Sequence, residues 1–576
     1  MVAKHHESGL LEAGNFGERP AEIPRSCLAR ILVLSWSIIF VFDSLAGGSR
    51  AFCTGYACWP QSSCATLAVH LNRPKLPPRT IRAVRERRRG TSNSKNRGPD
   101  SRVLLSKISN AGSAAAILKL VGREVDGEVF NDFHLSAAFT RLARFSRQRK
   151  IRRTDAGSPV WLRLVARLQT MLQEDMVDAR GVANVFWANA ELHGKVVGLL
   201  PCVKSTVEYM PDKVEEMKPQ ELSNSLWAAA KLQDESPEVL TAVPAISQHI
   251  PDKVDGMKPQ ELSNSLWAAA KLQDAAPEVK KCVHAISQRI PDKAEMMQPQ
   301  HLSNSLWAAA KLQDAAPEVK KCVLAISQRI PGKVKEMQPQ HLSNSLWAAA
   351  KLQDEASEVL TAVPAISRHI PDKVDGMEPQ GLANSLWAAA KLQDAAPKVK
   401  KCVPAISQRI PDKIEEMQPQ DLSNSLWAAS KLQGAAPDVL TAVPAMSGRV
   451  PHKVHDMLPW HLSSCLLSAA ELKDVAPEVL SAVPAVVQQI SHTADDMTSH
   501  QLSNSLLAAA TLQNAAPEVL NVVPIITERI VHLKGMNSQD LSDNLAAIAL
   551  LRTASPGALA AVPVLVNQIS AQVALM

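Results

Sequence analysis

From Pro219 to Asp234 the chain reads PQELSNSLWAAAKLQD, in which apolar and polar letters recur at the spacing of a helical turn. Set out at about 100° per residue, Leu222, Leu226, Ala229 and Gln233 gather on one side, the face expected to meet a partner helix. Gln220, Ala228 and Lys231 fall around Asn224 on the opposite side, which predicts a polar stripe. Pro219 fits the first helical position, where its missing N–H costs nothing, and Met217 stands where it can staple against Leu222. A second apolar segment begins at Pro237 and runs through EVLTAVPAISQHI, predicting a second helix that stops before Pro251. The run PDKVDGM then predicts a turn or short helical stretch. Pro244 and its equivalents Pro364, Pro404, Pro444, Pro484 and Pro524 lie inside that second segment and predict a bend, whereas His284 and Leu324 predict straighter helices.

The phrase returns letter for letter from Pro259 to Asp274, and Trp187, Trp227, Trp267, Trp307, Trp347, Trp387 and Trp427 are each forty residues apart. Leu467 and Leu507 continue the register. The first Leu or Val of the phrase, from Val182 to Leu541, counts ten units, and FHLSAAFTRLARF from Phe133 to Phe145 reads as an eroded eleventh. Thr498 and Asn537 occupy the capping position of the last two units. One helix pair cannot bury its own apolar stripe, so each unit needs neighbours on both sides. The expected fold is all-α, an α-solenoid of about ten tandem 40-residue two-helix repeats over residues 179–576. Residues 100–178 read as degenerate N-terminal capping repeats that carry a basic cluster, and residues 1–99 as a mostly disordered targeting region.

Charge separates that targeting region from the rest. Residues 1–99 hold 15 Lys/Arg against 6 Asp/Glu, so the whole chain's +7 leaves a net −2 for residues 100–576. Overall basicity therefore says nothing of the solenoid's partners. The run ILVLSWSIIFVF, within an apolar helix expected near 28–46, has the size of a signal-peptide core and is short for a membrane span. Ser49-Arg50-Ala51 places small residues where a signal peptidase looks, which predicts Phe52 as the new first residue. From Phe52 to about Arg97 the chain is rich in Arg, Ser, Thr and Pro with Glu86 as its only acid, the composition of a transit peptide. This resembles the two-part plastid address of algae with secondary plastids, such as dinoflagellates and diatoms. Mitochondrial import is the alternative, as is a signal anchor with a disordered stalk; the mature chain is not expected to span a membrane.

Three cysteines, Cys53, Cys58 and Cys64, fall in the address. Cys202, Cys282, Cys322 and Cys402 share one register, where other units carry Ala242, Ala362, Ala442 and Ala482. Alternation with Ala predicts a small buried slot rather than a metal ligand or half of a disulfide. The chain carries no phosphate-binding Gly-Lys-Ser/Thr loop, no His-Glu-x-x-His helix and no Cys-x-x-Cys pair, and its histidines follow the repeat register instead of converging. No enzyme activity, catalytic residue, cofactor, metal or small-molecule substrate is expected.

The string LANSLWAAAKL at Leu382 to Leu392, with its relatives, resembles the NxxWAxAKL core of octotricopeptide-type repeats, found in algal organelle RNA-binding proteins and in the related heptatricopeptide and FAST-kinase-like proteins. The resemblance covers roughly residues 130–576 and implies a solenoid that holds single-stranded organelle RNA and supports transcript processing, stability or translation. Many members end in a nuclease-like RAP domain. Here AVPVLVNQI, Ala561 to Ile569, reads as the last second helix, so that domain is not expected.

Three sets of residues are candidates for RNA contact. The Asn ladder (Asn184, Asn224, Asn264, Asn304, Asn344, Asn384, Asn424, Asn504) offers amides for bases or phosphates, or else ties neighbouring helices together. The Lys ladder (Lys231, Lys271, Lys311, Lys351, Lys391, Lys431) offers ammonium groups for successive phosphates, or else favourable charges near helix C-termini. The cluster Arg141, Arg144, Arg147, Arg149, Lys150, Arg152 and Arg153 is the densest positive charge outside the address. Trp227 and its equivalents either stack on bases or pack between repeats. One letter of the phrase varies: Glu221, Glu261, His301, His341, Gly381, Asp421, His461 and Gln501. Its place beside the Asn ladder makes it the candidate for sequence preference, against neutral drift in a solvated first turn. A protein-interaction scaffold of the HEAT or armadillo kind, with protein partners on the solenoid surface and no nucleic acid, is the competing function.

Overall fold

The computed structural model describes residues 99–575. The targeting address, with its apolar helix near 28–46 and Cys53, Cys58 and Cys64, lies outside the described residues. Contacts divide the chain into two units, Met1–Arg102 and Val103–Met576. Of the first, residues 99–102 are described, and they begin the helix Pro99–Asn110. The second is the expected solenoid, built of helices joined by short turns, with no strand among its described residues.

Ten first helices of 14 residues each follow one another from Ala179–Leu192 and Pro219–Leu232 to Ser538–Leu551. Each packs along the first helix of the next unit, and the second helices do the same in a parallel layer. The eroded unit is part of the stack: Asp132–Arg147 packs on Ala179–Leu192, and Val160–Gln173 packs on Leu200–Lys213. Ala114–Glu124 lies against both helices of that unit and covers its outer side.

Leu222, Leu226, Ala229 and Leu232 are fully buried between the layers, each large side chain contributing roughly 1.5–3 kcal/mol on leaving water. Polar letters set the register within this apolar contact. The Ser223 hydroxyl donates to the Glu261 carbonyl at 2.9 Å, and Ser263 and Ser303 repeat the bond to His301 and His341 at 3.0 Å. The Gln233 amide, expected to face its partner helix, donates instead to the Lys271 carbonyl of the next unit at 3.2 Å, as Gln273 does to Lys311 at 3.3 Å. The thiols of Cys282, Cys322 and Cys402 fill the buried slot and donate to the carbonyls of Val279, Val319 and Val399 at 2.9–3.0 Å. Burial pushes each of them up to about 12.

The second segment departs from expectation in two ways. Pro244 does not bend an α-helix; it marks where one starts, with a 3-10 stretch Pro237–Ala242 giving way to Val243–Lys253. A proline in the first turn of a helix forfeits no intrahelical bond, so the chain changes helix type there instead of breaking. In the units with His284 and Leu324 the α-helices begin three residues earlier, at Lys280 and Lys320. The same helix also does not stop before Pro251 but carries it inside as far as Lys253. Only one turn remains beyond that proline, so its single lost bond is tolerated near the fraying end.

Candidate functional site

A first helix in the stack touches three neighbours, its own second helix and the first helices on either side. That leaves a narrow strip. Gln220 is exposed and Asn224, Trp227 and Lys231 are half-buried, whereas Ala228, expected on the polar stripe, is fully buried against the adjoining units. One helical wheel reckons with one partner, and lateral packing removes the rest of the circle.

Along this strip the Lys and Trp side chains interleave. Lys231 Nζ lies 5.9 Å from the ring centre of Trp227 and 5.8 Å from that of Trp267. Lys271 sits 6.0 and 5.6 Å from Trp267 and Trp307, and Lys391 sits 5.9 and 5.1 Å from Trp387 and Trp427. Lys311 and Lys351 reach the following rings, Trp347 and Trp387, at 5.6 and 5.4 Å. Adjacent indoles approach to 6.4 Å between centres for Trp267–Trp307 and Trp307–Trp347, tilted by 32°. The rings thus steady the ammonium groups and pack between repeats. Burial lowers the Lys351 pKa, with the charge of Lys391 adding to the effect.

The Asn ladder divides in three. Asn184 donates to Ser136 Oγ at 3.3 Å and Asn504 pairs with His500 Nε2 at 3.1 Å. The amides of Asn224, Asn264, Asn304, Asn344, Asn384 and Asn424 bond to no other described residue, so the tie between helices that Asn184 makes is absent there.

Both ends of the Lys ladder are acidic, a feature missed in reading the chain although the forty-residue register points to it. Glu471 takes the next place after Lys431, and the two form an ion pair with Nζ 2.6 Å from Oε1. Glu191 precedes Lys231, is 3.5 Å from Arg147 Nε, and has its pKa raised by burial against the pull of Arg147, Lys195 and Lys231. Beyond Glu471 the column carries Thr511, and Leu467 and Leu507 stand in place of Trp.

The varying letter is placed otherwise than expected. Glu221 and Glu261 are each 8% exposed, and their carboxylates accept the backbone N–H of Lys218 and Lys258 at 2.8 and 2.9 Å. Asp421 accepts from Gln418 at 3.0 Å, and His301, His341 and His461 accept through Nδ1 from residues 298, 338 and 458 at 3.3, 3.2 and 2.9 Å. Gln501 does so from Thr498 at 3.1 Å, and Gly381 has no side chain to do it. These side chains satisfy an orphan N–H at the helix start. The reverse bond, a side chain accepting from the third helical N–H, is made at Thr498 and Asn537, as their capping position predicts.

Of the basic cluster, Arg141 donates to the Ala111 carbonyl at 3.2 Å and lies over Phe145, Arg147 pairs with Glu191, and Arg152 holds the buried Asp155 at 3.1 Å. Arg144, Arg149, Lys150 and Arg153 are exposed without a charged partner among the described residues, and Arg149 takes a left-handed backbone at φ 56° where the helix ends. Among the described residues no three His, Cys, Asp or Glu side chains are grouped as a metal ion requires. Among the described residues one helical stretch, Pro556–Ala574, is long and apolar enough to cross a membrane, and it forms the second helix of the last unit. No protein-family model matches the chain, and no curated protein matches it.

Proposed function

We propose that the protein holds single-stranded RNA along the Asn–Trp–Lys strip of its first helices and so supports processing, stability or translation of organelle transcripts. One observation carries this reading: six Asn amides without a partner among the described residues run beside six Lys ammonium groups, in one register. Amides and ammonium groups set at a constant interval suit a polymer with one anionic group per step. Arg144, Arg149, Lys150 and Arg153 add positive charge near one end of the stack. The octotricopeptide-type resemblance supports the same partner. Filter binding of single-stranded RNA across a salt series tests it: affinity that strengthens as salt falls, and that weakens when Lys271, Lys311 and Lys351 are changed together to Gln, is the expected result. No binding at low salt would end the RNA reading.

A protein scaffold is the second reading, supported by the net −2 of residues 100–576 and by the acids that close both ends of the Lys ladder. Capture of a protein partner on the strip, with no RNA retained, would favour it. For the compartment, the proposal is the plastid, with the mitochondrion as alternative. A fluorescent fusion to residues 1–99 tests that address, and exclusion from plastids removes it.

A further inference from the structure

The six central units present one surface six times. Between Pro219 and Leu432 the first helices differ only at the capping letter and at two buried positions, where Ala383 replaces Ser and Ser430 replaces Ala. The capping letter is bonded at the helix start, as at Glu221 and His341. Whatever one unit does to a ligand along the strip, the other five therefore repeat.

Each unit holds two amides on that strip. Gln220 lies one helical turn before Asn224 on the same face, and the pair recurs unchanged as far as Gln420 and Asn424. Gln220 is exposed and Asn224 half-buried, and in all six units neither side-chain amide has a hydrogen-bond partner among the described residues. The indoles and ammonium groups beside them engage one another, with Lys271 Nζ 5.6 Å from the Trp307 ring centre. On both sides the pair ends. Asn184 is tied to Ser136 and has Arg180 in the Gln column, and beyond Asn424 the two columns carry Trp460 and Ser464.

An amide sets a carbonyl acceptor beside an N–H donor, so it makes two parallel bonds to a base edge that sets a donor beside an acceptor. Adenine does this on both edges, with N6–H beside N7 on the Hoogsteen edge and beside N1 on the Watson–Crick edge. The other bases do it on the Watson–Crick edge alone, guanine's Hoogsteen edge being two acceptors. Two amides per unit suit a base that can be read from either edge. Equivalent indole centres of adjoining units are 6.2–6.4 Å apart, close to twice the ~3.4 Å rise of a stacked strand, which leaves room for one unstacked base per unit. Resting on the RNA reading above, we infer that the Gln–Asn pairs from Gln220 to Asn424 read the same base six times, and that their ligand is a run of about six adenines in a single strand.

The test uses oligo(A), oligo(U), oligo(C) and oligo(purine riboside), each about 12 nucleotides long, bound to the whole chain and to a variant carrying Asn264→Ala, Asn304→Ala and Asn344→Ala together. Purine riboside is adenosine without its N6 amine, so it keeps the stacking surface and loses the donor. These Asn amides bond to no other described residue, so the variant is expected to fold, which helical content checks; the purine riboside comparison needs no variant. The expected results are affinity for oligo(A) about tenfold or more above that for the other three, and a cut of about threefold or more in that preference in the variant. A preference that purine riboside shares, or that the variant keeps in full, would put the selectivity in stacking and overturn reading by the amides. Equal affinities for the four strands, or preference for oligo(U) or oligo(C), would overturn the adenine run while leaving RNA binding in place. Absence of binding by every strand would instead remove the RNA reading itself, and this inference with it.

Discussion

The backbone N–H of Lys218 donates to Glu221 Oε2 at 2.8 Å. That bond makes a variable side chain of the repeat a fixture of the helix start. Glu, Asp, Gln and His differ in charge and size, yet each brings an acceptor to the same N–H, so the letter drifts within the set of residues that cap. Gly381 lies outside the set. A Cβ added there would meet Ser343 Oγ at 3.4 Å, an ordinary contact, so a side chain fits.

Gly381→Glu is accordingly expected to stabilise the protein by about 0.5–1.5 kcal/mol, from a regained cap, a favourable charge at the helix N-terminus and loss of glycine's unfolded-state freedom. Glu261→Ala is expected to cost about 1 kcal/mol. Denaturant midpoints measure both, and RNA affinity is expected to stay level. An affinity change with unchanged stability would return these side chains to the ligand.

How far the chain discloses its own fold can be seen at single positions. The forty-residue recurrence of Trp and the buried leucines specify two-helix bricks, because apolar period and capping letters are local properties. Ala228 and Glu221 escape that reading, since their burial comes from the adjoining unit rather than from their own helix. Pro244 escapes it too: sequence shows that an N–H is missing, not whether the chain answers with a bend or a change to 3-10. The Asn and Lys ladders are legible as a shared face, but their acidic ends are noticed only when the column is followed past its last Lys.

A further ladder joins units at an offset the repeat does not announce. Arg449 lies 2.8 Å from Glu415, with Arg289–Asp255 and Arg409–Asp375 equivalent at 3.5 and 3.7 Å, and Arg329–Glu295 and Arg529–Asp495 in the same place. The acids are largely exposed, so each pair is worth about 0–1 kcal/mol. Arg449→Ala is expected to lower stability by that much in low salt and by less in 1 M NaCl, where the screening length is about 3 Å. Equal losses in both salts would mean that the Arg stem, not its charge, does the stabilising.

Stability should also depend on His461. Burial lowers its pKa from 6.5 to about 4, and its Nδ1 accepts the Leu458 N–H at 2.9 Å, a bond that a protonated ring nitrogen cannot accept. A depressed histidine favours the folded state fully above its unfolded value, and that contribution is lost as pH falls from about 6.5 toward 4. Up to about 3 kcal/mol is at stake. His301 and His341, lowered in the same direction by burial, add to the slope. His461→Gln, which copies Gln501 of the next unit, keeps an acceptor without a titration. Denaturation at pH 7.5 and pH 5 should show a smaller difference for this variant than for the natural chain, and an equal difference would acquit His461.

The Lys ladder yields the most discriminating prediction, because its members are not equivalent. Lys391 stands between Trp387 and Trp427 at 5.9 and 5.1 Å, whereas Lys431 has Leu467 as its next neighbour in the Trp column and turns to Glu471. Removing a charge that meets a phosphate lessens the dependence of log affinity on log salt by about 0.7 for a single strand. Lys391→Gln and Lys311→Gln are expected to show that decrement, and Lys431→Gln less of it, since a phosphate would first have to displace Glu471 from its ammonium. Each variant also loses cation–π attraction of about 0.5–1 kcal/mol, so helical content and midpoint must be measured alongside. Should Lys431→Gln match the other two, Glu471 does not shield Lys431 from phosphate; should none of the three alter the slope, the phosphates lie elsewhere, and Arg144, Arg149, Lys150 and Arg153 become the next substitutions to make.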